Sequence, residues 1–189
     1  MTAIFDTHAH YDDEKFDEDR AELLSSMQEN GIGRIINVSA NLESLENTRK
    51  LMEAYPFIYG AFGLHPDEVG DLNEDVMARM RELCRMEKAV AVGEIGLDYH
   101  YEDIPRERQQ AAFRAQMALA LELNLPVIVH EREAHEDGLR IVEEFPEVTG
   151  VFHCYSGSAE MAKWLIARGW YIAVSYTHLR AHETEADLV

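Results

Sequence analysis

The stretch Asp6-Thr7-His8-Ala9-His10 follows the short apolar run Ala3-Ile4-Phe5 near the N-terminus and begins the pattern that decides the fold. Successive side chains of a β-strand point to opposite faces, so His8 and His10 project from the same side and can hold one ion between them. Two strand histidines that only fill space are an equally good interpretation of so short a motif. The rest of the chain has to decide between them.

Downstream of this motif, short apolar strands alternate with amphipathic helices. Such near-continuous apolar strands, separated by helices, are typical of a parallel sheet covered on both faces. After the first strand, the pattern predicts strands at residues 34–39, 57–62, 89–93, 126–130, 150–153 and 170–174. It predicts helices at residues 12–30, 42–54, 74–86, 106–123, 136–145 and 159–168.

The polar residues at the strand ends distinguish an open sheet from a closed one. Glu94, His130 and His153 each end a different predicted strand, as His8 does, and His65 follows its strand directly. Side chains from well-separated strands converge on one point only if the strands close into a ring, as in a (β/α)8 barrel. The glycine fingerprint of a dinucleotide-binding sheet is also missing after the first strand. We therefore predict an α/β fold of the TIM-barrel type.

Composition narrows the class of protein. With 47% hydrophobic and 28% charged residues, the 189-residue chain is expected to be a soluble globular protein, most simply of one domain. Its formal charge of −19 disfavours a large non-specific DNA-binding surface but allows a small site where cations receive a phosphate. The two cysteines, Cys84 and Cys154, suggest no disulfide framework and are expected to be reduced and buried. Without a membrane span or secretory signal in the sequence, the expected location is the cytoplasm.

Each candidate ligand taken alone is weak evidence for a metal site, because a histidine after an apolar strand is often a core residue with its hydrogen bonds satisfied. Together they are much stronger, since metal-compatible side chains recur at the expected end of separate strands. A buried carboxylate such as Glu94 would also be costly without a compensating cation. The combined pattern favours a metal site.

Five segments of the chain resemble the TatD-family metal-dependent hydrolases, which have amidohydrolase-like barrels. The resemblance covers residues 1–175 in the expected order and spacing. Its segments are Asp6-Thr7-His8-Ala9-His10, Gly63-Leu64-His65-Pro66, Gly93-Glu94-Ile95-Gly96-Leu97-Asp98-Tyr99, Pro126-Val127-Ile128-Val129-His130 and His153-Cys154-Tyr155-Ser156-Gly157.

The resemblance implies a site for two divalent ions. His8, His10 and Glu94 would bind one ion, and Glu94, His130 and His153 would bind the other, with Glu94 bridging. Two ions about 4 Å apart can activate a water and polarise an ester. Histidine and carboxylate ligands accept Zn, Mn, Mg, Co or Ni, so the metal is left open. Substrate contacts are implied for His65, Ser156 and Gly157, although a plain turn explains the last two equally well.

The chain departs from the family pattern after residue 174. Members usually carry an Asp at the end of an eighth strand, inside a Glu-Thr-Asp motif, which serves as the general base. Here residues 175–189 follow the seventh predicted strand directly, so neither Asp187 nor the histidines His178 and His182 receive a role. We interpret residues 1–175 as an incomplete barrel of about seven strands and residues 176–189 as a non-native tail. Unpaired edge strands would make such a barrel poorly stable.

The leading functional hypothesis is a metal-dependent hydrolase of ester bonds, specifically a deoxyribonuclease with 3'-5' exonuclease character. Its substrate would be a nucleic acid or other phosphoester, with no membrane or stable protein partner, and a complete chain would be a monomer. One alternative is hydrolysis of C–N or carboxylic ester bonds. Relatives of that type often bridge their metals with a carboxylated lysine, but no strand end carries one of the four lysines, Lys15, Lys50, Lys88 and Lys163. A second alternative is an inactive metal-binding fragment, because the last-strand Asp is missing.

Overall fold

The computed structural model describes residues 3–101 and 103–173, in which seven parallel strands form one sheet in chain order and six helices alternate with them. This arrangement confirms the predicted α/β class. The strands are β1 Ile4–Ala9, β2 Ile32–Val38, β3 Ile58–Ala61, β4 Ala89–Asp98, β5 Val127–Arg132, β6 Gly150–His153 and β7 Tyr171–Ile172. The helices are α1 Arg20–Ser26, α2 Leu42–Ala54, α3 Glu74–Leu83, α4 Arg106–Leu123, α5 His135–Glu143 and α6 Ala159–Ile166.

The sheet curls as a barrel wall does. In a flat sheet, β1 and β6 would lie about 24 Å apart, because neighbouring strands are spaced by about 4.8 Å. Instead the imidazole of His8 on β1 stacks on that of His153 on β6, with ring centroids 3.5 Å apart and planes inclined by 11°. The carboxyl ends of the strands therefore converge, as the barrel prediction requires.

Helix α2 shows how local sequence sets a helix boundary. The Asn41 side chain accepts a hydrogen bond from the Ser44 backbone N–H, and the Ser44 hydroxyl accepts one from the Asn41 N–H. This reciprocal cap satisfies donors that the first helical turn leaves free. The helix ends before Pro56, and its bounds match the prediction. The long helix α4 also has its predicted bounds.

The single helix predicted for residues 12–30 is wrong. A 3-10 turn at Glu14–Phe16 comes first, and the α-helix begins only at Arg20. The Arg20 guanidinium donates hydrogen bonds to the backbone carbonyls of Tyr11, Asp12 and Asp13, which holds this segment as a loop. The acidic run over residues 12–19 also carries a single apolar residue, Phe16, which is too little to bury a helix there.

Strand β4 is about twice as long as predicted, because the glycines at 93 and 96 lie inside the strand and do not end it. A Cβ at Gly93 would lie 2.7 Å from that of Ile128 on β5, so glycine permits close approach of the neighbouring strand. The register with β5 is irregular between Val92 and Ile95, which places Glu94 at a bulge in the middle of β4. The prediction that Glu94 ends its strand was therefore wrong.

The remaining differences are small. Helices α3, α5 and α6 end two or three residues before their predicted ends, and the predicted tail at 176–189 lies outside the described residues. Cys84 is buried, which raises the pKa of its thiol to about 12, whereas Cys154 is only half-buried, contrary to prediction. No described helix combines the length and hydropathy needed to cross a membrane.

Gln116 of α4 ties this helix to the loop that carries His65. Its buried amide accepts a hydrogen bond from the Leu64 N–H (2.8 Å) and donates one to the Leu64 carbonyl (3.2 Å). Gln116→Leu keeps the volume and leaves both backbone groups unpaired, at a cost of about 1–3 kcal/mol each. We expect the melting temperature to fall by roughly 4–15 °C. Gln28→Leu, at an exposed position, is the control; equal melting of the two variants would contradict the expectation.

Candidate functional site

Glu94 lies at the centre of a group of imidazoles contributed by different strands. Its side chain is almost fully buried, and it follows Gly93 across a cis peptide bond. One carboxylate oxygen, Oε2, lies 3.3 Å from His8 Nε2 and 3.7 Å from His10 Nε2. The other, Oε1, lies 3.3 Å from His130 Nδ1. Glu94 thus presents one oxygen to each of two sets of histidines.

His8 and His10 approach each other as strand alternation predicts, with their Nε2 atoms 3.0 Å apart. His10 Nδ1 lies 2.8 Å from the Val38 carbonyl, which accepts a hydrogen bond and therefore fixes the proton on Nδ1. The Nε2 lone pair of His10 is then directed toward Glu94. His8 Nδ1 is buried without a hydrogen-bond partner among the described residues.

These separations suit a metal site. Ligand atoms about 2.1 Å from one ion lie roughly 3.0–3.4 Å from each other when they occupy adjacent coordination positions. The contacts of His8 Nε2 with His10 and with Glu94, at 3.0 and 3.3 Å, fall in that range. Imidazole nitrogens and carboxylate oxygens are also the donors that Zn and Mn accept. The residues present therefore fit a divalent cation.

The histidines group differently from the implied pairing. Ligand atoms of His8, Glu94 and His153 lie within 4.8 Å of one another, so His153 is close to the β1 histidine. A second group with the same spacing contains His65, Asp98 and His130. The implied pairing had placed His153 with His130 and left Asp98 without a role.

Two of the histidines are neutral at neutral pH. Burial, with a smaller contribution from nearby His130, lowers the pKa of His65 to about 4. Burial likewise lowers the pKa of His153 to about 4, with a contribution from His8. A neutral imidazole is the form that binds a metal, because protonation occupies the lone pair.

Neighbouring charged groups move the pKa values of Glu94 and His130 in opposite directions. Burial opposes the charge on Glu94, but the neighbouring imidazoles of His130 and His8 outweigh it and hold its pKa well below the usual value. Burial also opposes the charge on His130, while the carboxylates of Glu94 and Asp98 outweigh it and raise its pKa. A carboxylate that stays ionised while buried is a suitable ligand for a cation.

Among the implied substrate residues, only His65 touches this group of side chains. Its ring contacts the His130 ring edge-on, with centroids 4.2 Å apart. Ser156 is exposed in the turn before α6. Gly157 packs in the same turn, where a Cβ would lie 2.7 Å from Tyr155 Oη. This packing supports a structural role for Gly157.

Sequence reasoning missed Asp98, which ends β4 and lies 2.8 Å from His130 Nε2 through its Oδ2 atom. The sequence did contain a signal that could have identified Asp98. Residues an even number apart in a strand share a face, so Asp98 belongs with Glu94 once β4 is extended through its glycines. The prediction that the strand ends at Glu94 concealed this relation.

The site opens into a cleft of about 820 Å³ with strongly acidic walls. His10, His65 and Glu94 line its floor. Carboxylates around it include Asp12, Asp13, Glu43, Asp67 and Glu68. A concave surface of one charge sign concentrates ions of the opposite sign, so the cleft attracts cations.

Comparison with known proteins agrees with this geometry. The sequence profile of the family described as TatD related DNase matches residues 5–189. The metal-dependent hydrolase YabD of Bacillus subtilis is 40% identical over 172 residues, which are 90% of this chain and 68% of YabD. The 3'-5' ssDNA/RNA exonuclease TatD of Escherichia fergusonii is 30% identical over 174 residues, 91% of this chain and 67% of that protein.

The crystal structure of YjjV, a TatD homologue from Escherichia coli K12, superposes with a TM-score of 0.81 at 33% identity. The superposition covers 89% of this chain and 66% of YjjV. The chain thus spans about two thirds of the length of these relatives. By profile, sequence identity and fold, it belongs to the TatD family of metal-dependent hydrolases.

Proposed function

We propose that this chain binds two divalent cations and belongs to a 3'-5' exonuclease acting on single-stranded nucleic acid. The ligands would be His8, His10, Glu94, His130 and His153. The observation that carries the proposal is the placement of Glu94, whose two oxygens face different sets of histidines. The nuclease named among the relatives supports the choice of substrate.

The chain's own residues would bind and orient the substrate. Divalent ions held by Glu94 and the histidines would supply Lewis acidity, the chemistry that activates water and polarises a phosphate ester. The neutral imidazole of His65, beside His130, can hydrogen-bond to a phosphate oxygen. The exposed hydroxyl of Ser156 is the other donor that we assign to the substrate. Gly157 would contribute only backbone groups.

The acidic cleft favours a strand terminus over a long duplex. Carboxylates such as Asp67 and Glu68 repel the phosphates of any nucleic acid that passes along the cleft walls. A terminal nucleotide can reach the cations at the floor with few neighbouring phosphates near these walls. A nucleic-acid substrate also favours a cytoplasmic location, which we include in the proposal.

The test uses single-stranded DNA labelled at its 5' end, with Mg²⁺ or Mn²⁺ supplied. We expect successive shortening from the 3' end, and loss of activity when a chelator removes the cations. A 3'-blocked oligonucleotide is the control and should stay intact. Turnover of amides or lactones with intact DNA would instead support the amidohydrolase alternative.

Metal binding and turnover should be measured separately, because the last-strand Asp of the family pattern is not assigned in this sequence. Calorimetric titration of the metal-free chain with each candidate ion gives the number bound and the preferred metal. We expect two ions per chain. Tight binding of two ions without cleavage of DNA would support the metal-binding fragment alternative.

A further inference from the structure

Hydrogen bonds to the backbone N–H and carbonyl of Asp98 hold this residue in place. It ends β4 with its side chain almost fully buried. The Gln109 side chain on α4 accepts a hydrogen bond from the Asp98 N–H and donates one to the Asp98 carbonyl, both at 2.8 Å. Its carboxylate position is therefore fixed by the packing of a helix on the sheet, independently of the histidines.

Both carboxylate oxygens of Asp98 receive hydrogen bonds from different donors. Oδ1 accepts one from the backbone N–H of His100 at 2.9 Å. Oδ2 lies 2.8 Å from Nε2 of His130. An ionised carboxylate can only accept, so the proton of this second bond belongs to His130.

The His130 ring faces a carboxylate at each nitrogen, and the shorter contact, 2.8 Å from Nε2 to Asp98 against 3.3 Å from Nδ1 to Glu94, favours the proton on Nε2. A neutral imidazole carries its proton on one nitrogen and a lone pair on the other. With the proton on Nε2, the lone pair lies on Nδ1, which is 3.3 Å from Glu94 Oε1. Metal-binding histidines are commonly oriented in this way by a carboxylate behind the ring.

A separate ion between His65, Asp98 and His130 is the other interpretation of the same group. The distances argue against it. Adjacent ligand atoms on one ion lie roughly 3.0–3.4 Å apart, whereas the Asp98 and His130 atoms are 2.8 Å apart, an ordinary hydrogen-bond distance. The contact between His130 Nδ1 and Glu94, at 3.3 Å, falls within the ligand range.

We propose that Asp98 is a positioning residue, which holds His130 in its Nε2–H tautomer so that Nδ1 is offered to the metal site with Glu94. The proposal rests on the proposed function for the identity of that site. It does not require any reaction to take place, because the tautomer is a property of the metal-free chain.

The first experiment determines the tautomer directly. Long-range ¹H–¹⁵N correlation spectra of the metal-free chain, labelled at histidine and recorded at alkaline pH, distinguish Nδ1–H from Nε2–H. The signal of His130 is identified by its loss in His130→Gln. We expect Nε2–H for His130, and a predominant Nδ1–H tautomer would overturn the proposal without any further variant.

The second experiment uses Asp98→Asn, which keeps the shape but has one acceptor oxygen in place of two. The His100 backbone N–H can only donate, so it keeps the amide oxygen as its acceptor. The Nε2 atom of His130 can accept as well as donate, so the amide nitrogen of the new side chain will face it. We expect the His130 signal to shift toward the Nδ1–H tautomer and cation affinity to fall about 10–100-fold at an unchanged number of ions.

Glu131→Gln is the matched control, since it also removes a buried carboxylate charge, but one that pairs with His135 and with the Ala134 N–H outside the proposed site. It should leave both the tautomer and the affinity unchanged. Loss of one bound ion in Asp98→Asn would make Asp98 a ligand and overturn the positioning role, as would unchanged affinity. Failure of the unsubstituted chain to bind any ion would count against the proposed function, while the tautomer measurement would still decide the role of the hydrogen bond.

Discussion

Glu94→Gln is expected to abolish tight binding of divalent cations, with the affinity falling by about 100-fold or more. Loss of a residue behind a ligand already costs about 10–100-fold, and Glu94 is proposed as the shared ligand itself. A glutamine has the same shape but no charge, and it can offer only one oxygen. One of the two histidine sets would then face an amide nitrogen, which cannot bind a cation. Calorimetric titration of metal-free protein with Mn²⁺ or Zn²⁺ measures the change.

The control for this variant is Glu131→Gln. Glu131 is also buried, on β5, but its carboxylate pairs with His135 and with the Ala134 N–H. The control removes a buried charge outside the proposed site and should leave the affinity unchanged. If Glu94→Gln binds cations as tightly as the control, Glu94 is not the shared ligand.

Thermal stability gives a second readout for Glu94. A ligand that binds only the folded chain stabilises it by about 2.7 kcal/mol when present at 100 times its dissociation constant. Added cation should therefore raise the melting temperature of the unsubstituted chain and of Glu131→Gln but not that of Glu94→Gln. A cation-dependent shift that survives in Glu94→Gln would place the bound ions elsewhere.

The order of strands and helices could be predicted because the periods of both elements are local properties of the sequence. The bounds of α2 and α4 follow from caps and helix formers that act within a few residues. The shared face of His8 and His10 follows from strand alternation alone. Convergence of strand ends on Glu94 followed from the topology, once the strands were expected to form a barrel.

The features that could not be predicted depend on contacts between distant parts of the chain. The segment before α1 is a loop because Arg20 reaches back to the carbonyls of Tyr11 and Asp12. Strand β4 continues through its glycines because β5 lies against them. The stacking of His153 on His8 likewise depends on how far the sheet curls between β1 and β6. None of these contacts has a local signature.

Gly96→Ala is expected to damage the fold severely. Gly96 has φ of +141°, and it pairs with His130 across β4 and β5. A Cβ at this position would lie 1.9 Å from the carbonyl oxygen of His130, which is a backbone atom that cannot rotate away. Strands β4 and β5 must then separate at His130, which is itself a proposed metal ligand. We expect a loss of more than about 4 kcal/mol of stability, in the range reserved for severe lesions, together with weaker cation binding.

Gly31→Ala separates this clash from simple backbone strain. Gly31 also has a positive φ, of +86°, but a Cβ there would meet no atom within 4 Å. It should lose only about 1–2 kcal/mol, the cost of a left-handed conformation for a residue with a side chain. Urea unfolding of both variants gives the comparison. Similar losses would mean that the β4–β5 pairing tolerates a side chain at Gly96. A much larger loss for Gly96→Ala would mean that the fold requires the close contact of these strands at Gly96 and His130.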